Sequence, residues 1–163
     1  LIATIVEPLE SSSFENLAIG DVVLVASEVV GDLGVELPDG LGFRPLWDFP
    51  FGASHTRVDL HAPKIASVPI VNGCTVSTVT GTRSTGILRR DMFDASIETM
   101  EGYAVADIAN ARGVRCIEVR AISNFAAERD MQPTNVRLAL EALSTFWMQH
   151  GMDILEAVYE AKA

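Results

Sequence analysis

Apolar residues at Met100, Ala104, Val105, Ile108 and Ala111 recur with a period of about 3.6, which predicts a helix of about three turns. The inward face of that helix is mostly alanine, so it can lie close on a sheet. Gly113 stands where such a helix ends. The run from Val114 to Ile122 that follows is rich in β-branched residues and reads as a buried strand. Helix then strand is a unit of α/β folds.

The same patterns predict strands over 1–6, 21–27, 65–71 and 74–80 and a helix over 83–92. A C-terminal helix over 134–150 turns Val136, Leu140, Leu143, Phe146 and Trp147 inward and stops at Gly151. A short last helix is expected from Asp153 to Ala161. Between Gly31 and Pro63 no period holds, and the prolines at 38, 45, 50 and 63 predict a long irregular loop of the kind that often carries function. Among its aromatics Phe43, Trp47, Phe49 and Phe51, Phe49 and Phe51 either close over a ligand, pack on a second subunit or pin the loop on itself. No repeat, low-complexity tract or linker divides the chain, so 1–163 is read as one domain.

Two charges break the apolar pattern. Glu101 opens a helix whose next turns are expected to be buried, and Arg120 interrupts an apolar strand near its C-terminal end. In open α/β sheets that edge is where ligands bind. A carboxylate there can accept hydrogen bonds from a vicinal diol, and a guanidinium can hold it ionised and oriented. A structural ion pair satisfying two half-buried charges is the competing reading.

The net charge of −10 argues against nucleic acid or an anionic membrane as partner, because phosphate binding needs clustered Lys and Arg, and Arg89-Arg90 is too small a cluster. No run approaches the roughly 18 apolar residues that span a bilayer. Cys74 and Cys116 sit in strand-like surroundings, so a disulfide framework is not expected and a reducing, cytoplasmic setting is. Gly81 and Gly86 have the spacing of a phosphate loop, but Ile87 and Leu88 stand where Lys and a hydroxyl are required. His55 and His61 are not at ligand spacing and His150 falls at a helix end, so no metal and no cofactor is expected. Ser123 has no histidine partner at the level of sequence, which disfavours a serine hydrolase.

The segments Glu98-Thr99-Met100-Glu101-Gly102, Glu118-Val119-Arg120-Ala121-Ile122-Ser123-Asn124 and Arg129-Asp130 resemble the purine nucleosidase and phosphorylase superfamily, and within it the futalosine hydrolases. Ile19 to Leu24, Gly31 to Glu36 and Val76 to Gly81 resemble further segments of that family in the same order. The resemblance implies a three-layer α/β fold of nucleoside phosphorylase type, with a central mixed β-sheet flanked by helices, a small-molecule purine nucleoside as substrate, and a homo-oligomer. It implies that Met100 and Glu101 grip the ribose hydroxyls, that Arg120 orients Glu101, that Ser123 and Asn124 face the purine, and that Thr82 lies in the base-side loop. Glu7, closing Ala3-Thr4-Ile5-Val6-Glu7, matches the base that activates water, with Glu10 as fallback.

Relatives that cleave adenine nucleosides have Asp where this chain has Asn124. A 6-aminopurine offers a donor at its exocyclic group, whereas a 6-oxopurine offers acceptors at O6 and N7, which an amide NH2 can serve. The resemblance therefore implies hydrolysis of the N-ribosidic bond of futalosine, with release of hypoxanthine and dehypoxanthine futalosine in menaquinone biosynthesis. A 6-oxopurine nucleoside phosphorylase, a methylthioadenosine/S-adenosylhomocysteine nucleosidase and a non-catalytic nucleoside-binding module are the alternatives. The family carries a strand, a helix and a strand with glycine-rich contacts between the segments matched at 1–7 and 19–24, and the interval from about 10 to 19 is too short to hold them.

Overall fold

The computed structural model describes residues 2–5, 17–38, 43–50, 57–126 and 132–159. Its core is a mixed sheet of six strands: β1 (Ile2–Ile5), β2 (Val22–Val30), β5 (Arg57–Asp59), β6 (Ile70–Thr75), β7 (Ile97–Thr99) and β8 (Glu118–Phe125). The order is β5-β2-β6-β7-β1-β8, and β8 also pairs with β2, so the sheet closes into a ring. The nine-residue β2 makes this possible. It runs parallel to β6 along one edge, while its other edge serves β8 through Val22–Val25 and then β5 through Ser27–Val29, both antiparallel.

The period of two along a strand explains how the ring is filled. Val23 and Val25 of β2 meet Val71, Ile97 and Ile122 from three other strands in one buried cluster. Leu24, on the opposite face, joins Val119 under Phe146 and Ile154 of α3 (Pro133–Tyr159). A third cluster of Val29, Cys74, Val76, Phe93 and Ala95 ties β2 and β6 to the end of α1 (Arg83–Phe93). α2 (Gly102–Ala111) follows β7 directly. The expected central mixed sheet flanked by helices is what forms.

Several expectations are corrected. The stretch 65–80 holds one strand, β6, in place of two. The interval 31–63 contains a small hairpin of β3 (Gly34–Glu36) and β4 (Phe43–Pro45), a 3-10 turn over Leu46–Asp48, and β5. The strand expected from Val114 begins at Glu118. α3 runs unbroken through Gly151 to Tyr159, because Phe146 and Ile154 pack on the same cluster from either side of that glycine, and this burial outweighs the roughly 1 kcal/mol that a mid-helix glycine costs. His150 consequently lies inside a helix, 3.2 Å from Asp153.

The inner faces of two helices also differ from expectation. α3 buries Ala139, Phe146 and Ile154, leaving Leu140 and Trp147 exposed. α2 buries Gly102 and Ala106, while Val105 and Ile108 are 56% and 59% exposed. The stripe expected to face the sheet faces away from it, because the smallest residues of α2 take the close approach.

Candidate active site

The turn from β7 into α2 presents Met100 and Glu101, both exposed. Glu101 is the N-cap residue of α2, yet its side chain makes no capping bond and reaches outward. Arg120 is the third residue of β8, near the start of the strand and not near its C-terminal end as expected, because β8 begins at Glu118 and runs on to Phe125; it is only 2% exposed and points to the same corner. Its NH1 lies 3.8 Å from Glu101 Oε2, which joins the two charges singled out from the sequence. Its closer partner is Glu118, two residues back on the same face of β8, with Nε donating to Oε1 at 2.5 Å. A buried guanidinium needs a compensating charge, and Glu118 supplies it.

Beneath the corner lies a set of polar groups that sequence reasoning missed. Glu28, fully buried on β2, accepts a hydrogen bond from Thr75 Oγ1 at 2.7 Å and one from Thr99 Oγ1 at 3.0 Å. The two hydroxyls are 2.9 Å apart, and Thr75 Oγ1 also accepts from the Tyr103 backbone N–H at 2.8 Å. Gly73 and Gly102 make room for this carboxyl, since a Cβ at either would fall on it. Burial, and next the negative charge of Glu118, push the Glu28 carboxyl up from 4.5 to about 8. The only sequence signal was an acid inside the apolar run Val22-Val-Leu-Val-Ala-Ser-Glu28-Val-Val30.

The C-terminal end of β8 carries Ser123 and Asn124, both buried. Against β1 the register steps from Ile122, opposite Ala3, to Asn124, opposite Thr4, so Ser123 is an extra residue. Such a bulge re-aims the side chains beyond it. Ser123 Oγ donates to Asn124 Oδ1 at 2.8 Å, and Asn124 Nδ2 donates to the Phe125 carbonyl at 3.1 Å. The carboxamide is thereby oriented, with its oxygen already an acceptor. Four residues along a strand separate Asn124 from Arg120 by about 13 Å.

A second buried network holds the loop between β6 and α1. Glu98 accepts from the Thr80 N–H at 2.8 Å and the Thr80 hydroxyl at 2.5 Å, and Arg89 NH1 bonds Glu98 Oε2 at 2.8 Å and the Thr78 carbonyl at 3.0 Å. Asp32 Oδ2 accepts from the N–H groups of Ser77 and Thr78 at 2.6 and 3.1 Å. Thr82 ends this loop as the N-cap of α1, accepting from the Thr85 N–H at 3.2 Å. Its side chain is thus engaged locally.

Arg44 stacks over Phe49 at 4.6 Å from the ring centre, so Phe49 takes part in local packing of its loop. Glu7, Glu10, Phe51, His55, Arg129 and Asp130 lie outside the described residues, as does the side chain of Trp47. Cys74 is buried and Cys116 half-buried, both as free thiols, and burial pushes Cys74 up to about 12. Among the described residues no group of three or more His, Cys, Asp or Glu could hold a metal ion, and no helix is long and apolar enough to cross a membrane.

A futalosine hydrolase of Streptomyces coelicolor is 35% identical over 134 residues, and one of Acidothermus cellulolyticus 37% identical over 150. These alignments take in 77% and 82% of this chain but 55% and 61% of the relatives, so the chain spans well under two thirds of the curated proteins it matches. Among solved structures, the 5'-methylthioadenosine/S-adenosylhomocysteine nucleosidase of Helicobacter pylori superposes with a TM-score of 0.65 at 19% identity, covering 91% of this chain and 66% of the other. The native futalosine hydrolase of the same organism gives 0.62 at 17% identity, covering 91% and 65%. At such identities the likeness speaks to the fold. The family model described as "Phosphorylase superfamily" matches residues 13–155, most of the chain, and on that match the chain belongs to the phosphorylase superfamily.

Proposed function

We propose that this protein hydrolyses the N-ribosidic bond of a 6-oxopurine nucleoside, and that the nucleoside is futalosine. The observation that carries this reading is the buried Ser123-Asn124 pair, in which Ser123 donates to Asn124 Oδ1 and so orients the carboxamide. Beside its bond to the Phe125 carbonyl, the amide NH2 then supplies a donor to the O6 and N7 edge of a departing hypoxanthine. The relatives that carry the name futalosine hydrolase point to the same substrate.

In the reaction the C1'–N9 bond breaks through an oxocarbenium-like state, and water adds its oxygen to C1'. One water proton leaves to a base and the purine is released protonated on nitrogen. Charge that appears on the purine only in the transition state is met by Asn124, which is where a preorganised donor accelerates the reaction. Glu101 accepts from the ribose hydroxyls beside Met100, and Arg120 orients that carboxylate. Glu7 is proposed as the base for water and Thr82 as a contact near the purine. A homo-oligomer fits the apolar residues that α2 and α3 leave exposed.

Purine release from futalosine, inosine and methylthioadenosine, with and without phosphate and followed by chromatography, tests the reading. Hypoxanthine from futalosine in phosphate-free buffer is the expected result. A requirement for phosphate, adenine as the preferred product, or no release at all would each overturn it.

A further inference from the structure

We infer that Glu28 is a positioning residue for the sugar-facing corner, carrying its proton and closing a ring of three hydrogen bonds with Thr75 and Thr99 directly beneath Met100 and Glu101. The inference rests on the reading of that corner as the ribose site.

Counting protons leads to it. Three oxygen–oxygen contacts join the Glu28 carboxyl and the two hydroxyls, at 2.7, 3.0 and 2.9 Å. Two hydroxyls bring two protons. If both are given to an ionised Glu28, none is left for the contact between Thr75 and Thr99, and two oxygens would face each other unbridged at 2.9 Å. A proton on Glu28 reverses one bond and frees a hydroxyl for the third, so all three contacts are satisfied around the ring. Thr75 Oγ1 still accepts the Tyr103 N–H, so the ring reaches the first turn of α2 as well as β6 and β7.

The surroundings favour the neutral form. Glycines at 73 and 102 bring two backbones against the carboxyl and leave no space for water on those sides. From β8, Glu118 and Arg120 face it, but Glu118 already neutralises the guanidinium at 2.5 Å. From the start of α2 comes Glu101, 3.8 Å from Arg120, and from β6 the Cys74 thiol, which burial raises. Burial and Glu118 together raise Glu28 to about 8, in agreement with the proton count.

The role follows from placement. Thr99 immediately precedes Met100 and Glu101, and the Tyr103 N–H follows Gly102, so the ring clamps the corner from both sides. When Glu28 loses its proton, the ring opens and the presentation of Glu101 to a diol loosens.

The test combines infrared spectroscopy with kinetics. The difference spectrum of wild type minus Glu28→Gln at neutral pH should show the carbonyl band of a protonated carboxylic acid, lost as pH rises through about 8. Absence of that band at neutral pH overturns the inference, whether or not the protein cleaves any nucleoside. In wild type KM should rise on the alkaline side of about 8, whereas Glu28→Gln, neutral at every pH, should lose that limb. An unchanged alkaline limb in Glu28→Gln also overturns it. Should that variant fail to fold, Thr99→Val and Thr99→Ser decide: Val should raise KM about tenfold with kcat little changed, and Ser should restore it. A wild-type KM in Thr99→Val refutes the positioning role, while a wild type that releases purine from no substrate refutes the proposed function and leaves the infrared result standing.

Discussion

Arg120 Nε lies 2.5 Å from Glu118 Oε1, and both side chains are withdrawn from solvent. Glu118 is therefore the main anchor of the guanidinium, and the exposed Glu101, 3.8 Å away, is held by a charge that is itself already fixed. Glu118→Gln should destabilise the protein by about 3 kcal/mol, because it leaves a buried cation without its compensating charge. Glu101→Gln should leave the unfolding midpoint in urea nearly unchanged, since an exposed ion pair contributes little, yet weaken sugar binding and turnover together. Equal midpoints for the two variants would refute this division of labour.

Asn124→Ala should fold and lose turnover on the order of 100-fold, the usual cost of one preorganised donor. Asn124→Asp should shift preference toward a 6-aminopurine nucleoside, because a carboxyl can accept from the exocyclic amine while giving a proton to N7. The ratio of kcat/KM for a 6-amino and a 6-oxo substrate measures the shift. An unchanged ratio would remove Asn124 from base recognition.

Gly102→Ala pits two effects against each other. Alanine gains helix propensity by up to about 1 kcal/mol, but its Cβ would fall on the Glu28 carboxyl and 2.8 Å from Glu118 Oε1. Overpacking of about 1–3 kcal/mol should win, so the variant should unfold at lower urea than wild type. Gly113→Ala is the control. A Cβ there meets nothing, although the positive φ of 63° makes the substitution mildly unfavourable.

Stability should depend on pH through Glu28. Its carboxyl titrates near 4.5 when free and near 8 when folded, so between those values the folded state binds more protons than the unfolded one. Its contribution is fully present below 4.5 and is lost as pH rises to about 8, with a slope of up to roughly 1.4 kcal/mol per pH unit. Glu28→Gln should remove that slope, and urea titrations at a series of pH values would show it. Parallel curves for the two proteins would mean that Glu28 is ionised when folded.

The sequence by itself determined much of the framework. The apolar runs read at 21–27 and 114–122, the helix period over 83–92 and the stop at Gly113 are local signals, and local backbone chemistry was sufficient to place β2, β8, α1 and α2 within a few residues. The resemblance of 98–102 and 118–124 brought Glu101 and Arg120 into one proposed site, and the fold sets them 3.8 Å apart. Glu7 lies outside the described residues, and Thr82 is seen as a helix cap.

Tertiary structure alone decided which side of a helix is buried and which acid is neutral. The α2 stripe through Val105 and Ile108 has the right period but the wrong direction, because periodicity specifies a face without saying what it faces. The continuation of α3 through Gly151 depends on Phe146 and Ile154 reaching the same cluster, a long-range contact that a local stop signal cannot anticipate. Glu28, Thr75 and Thr99 are 47 and 24 residues apart in sequence and meet only because β2, β6 and β7 lie side by side. A carboxyl's charge is set by the solvent it loses and the protons its neighbours bring, and both are properties of the assembled sheet.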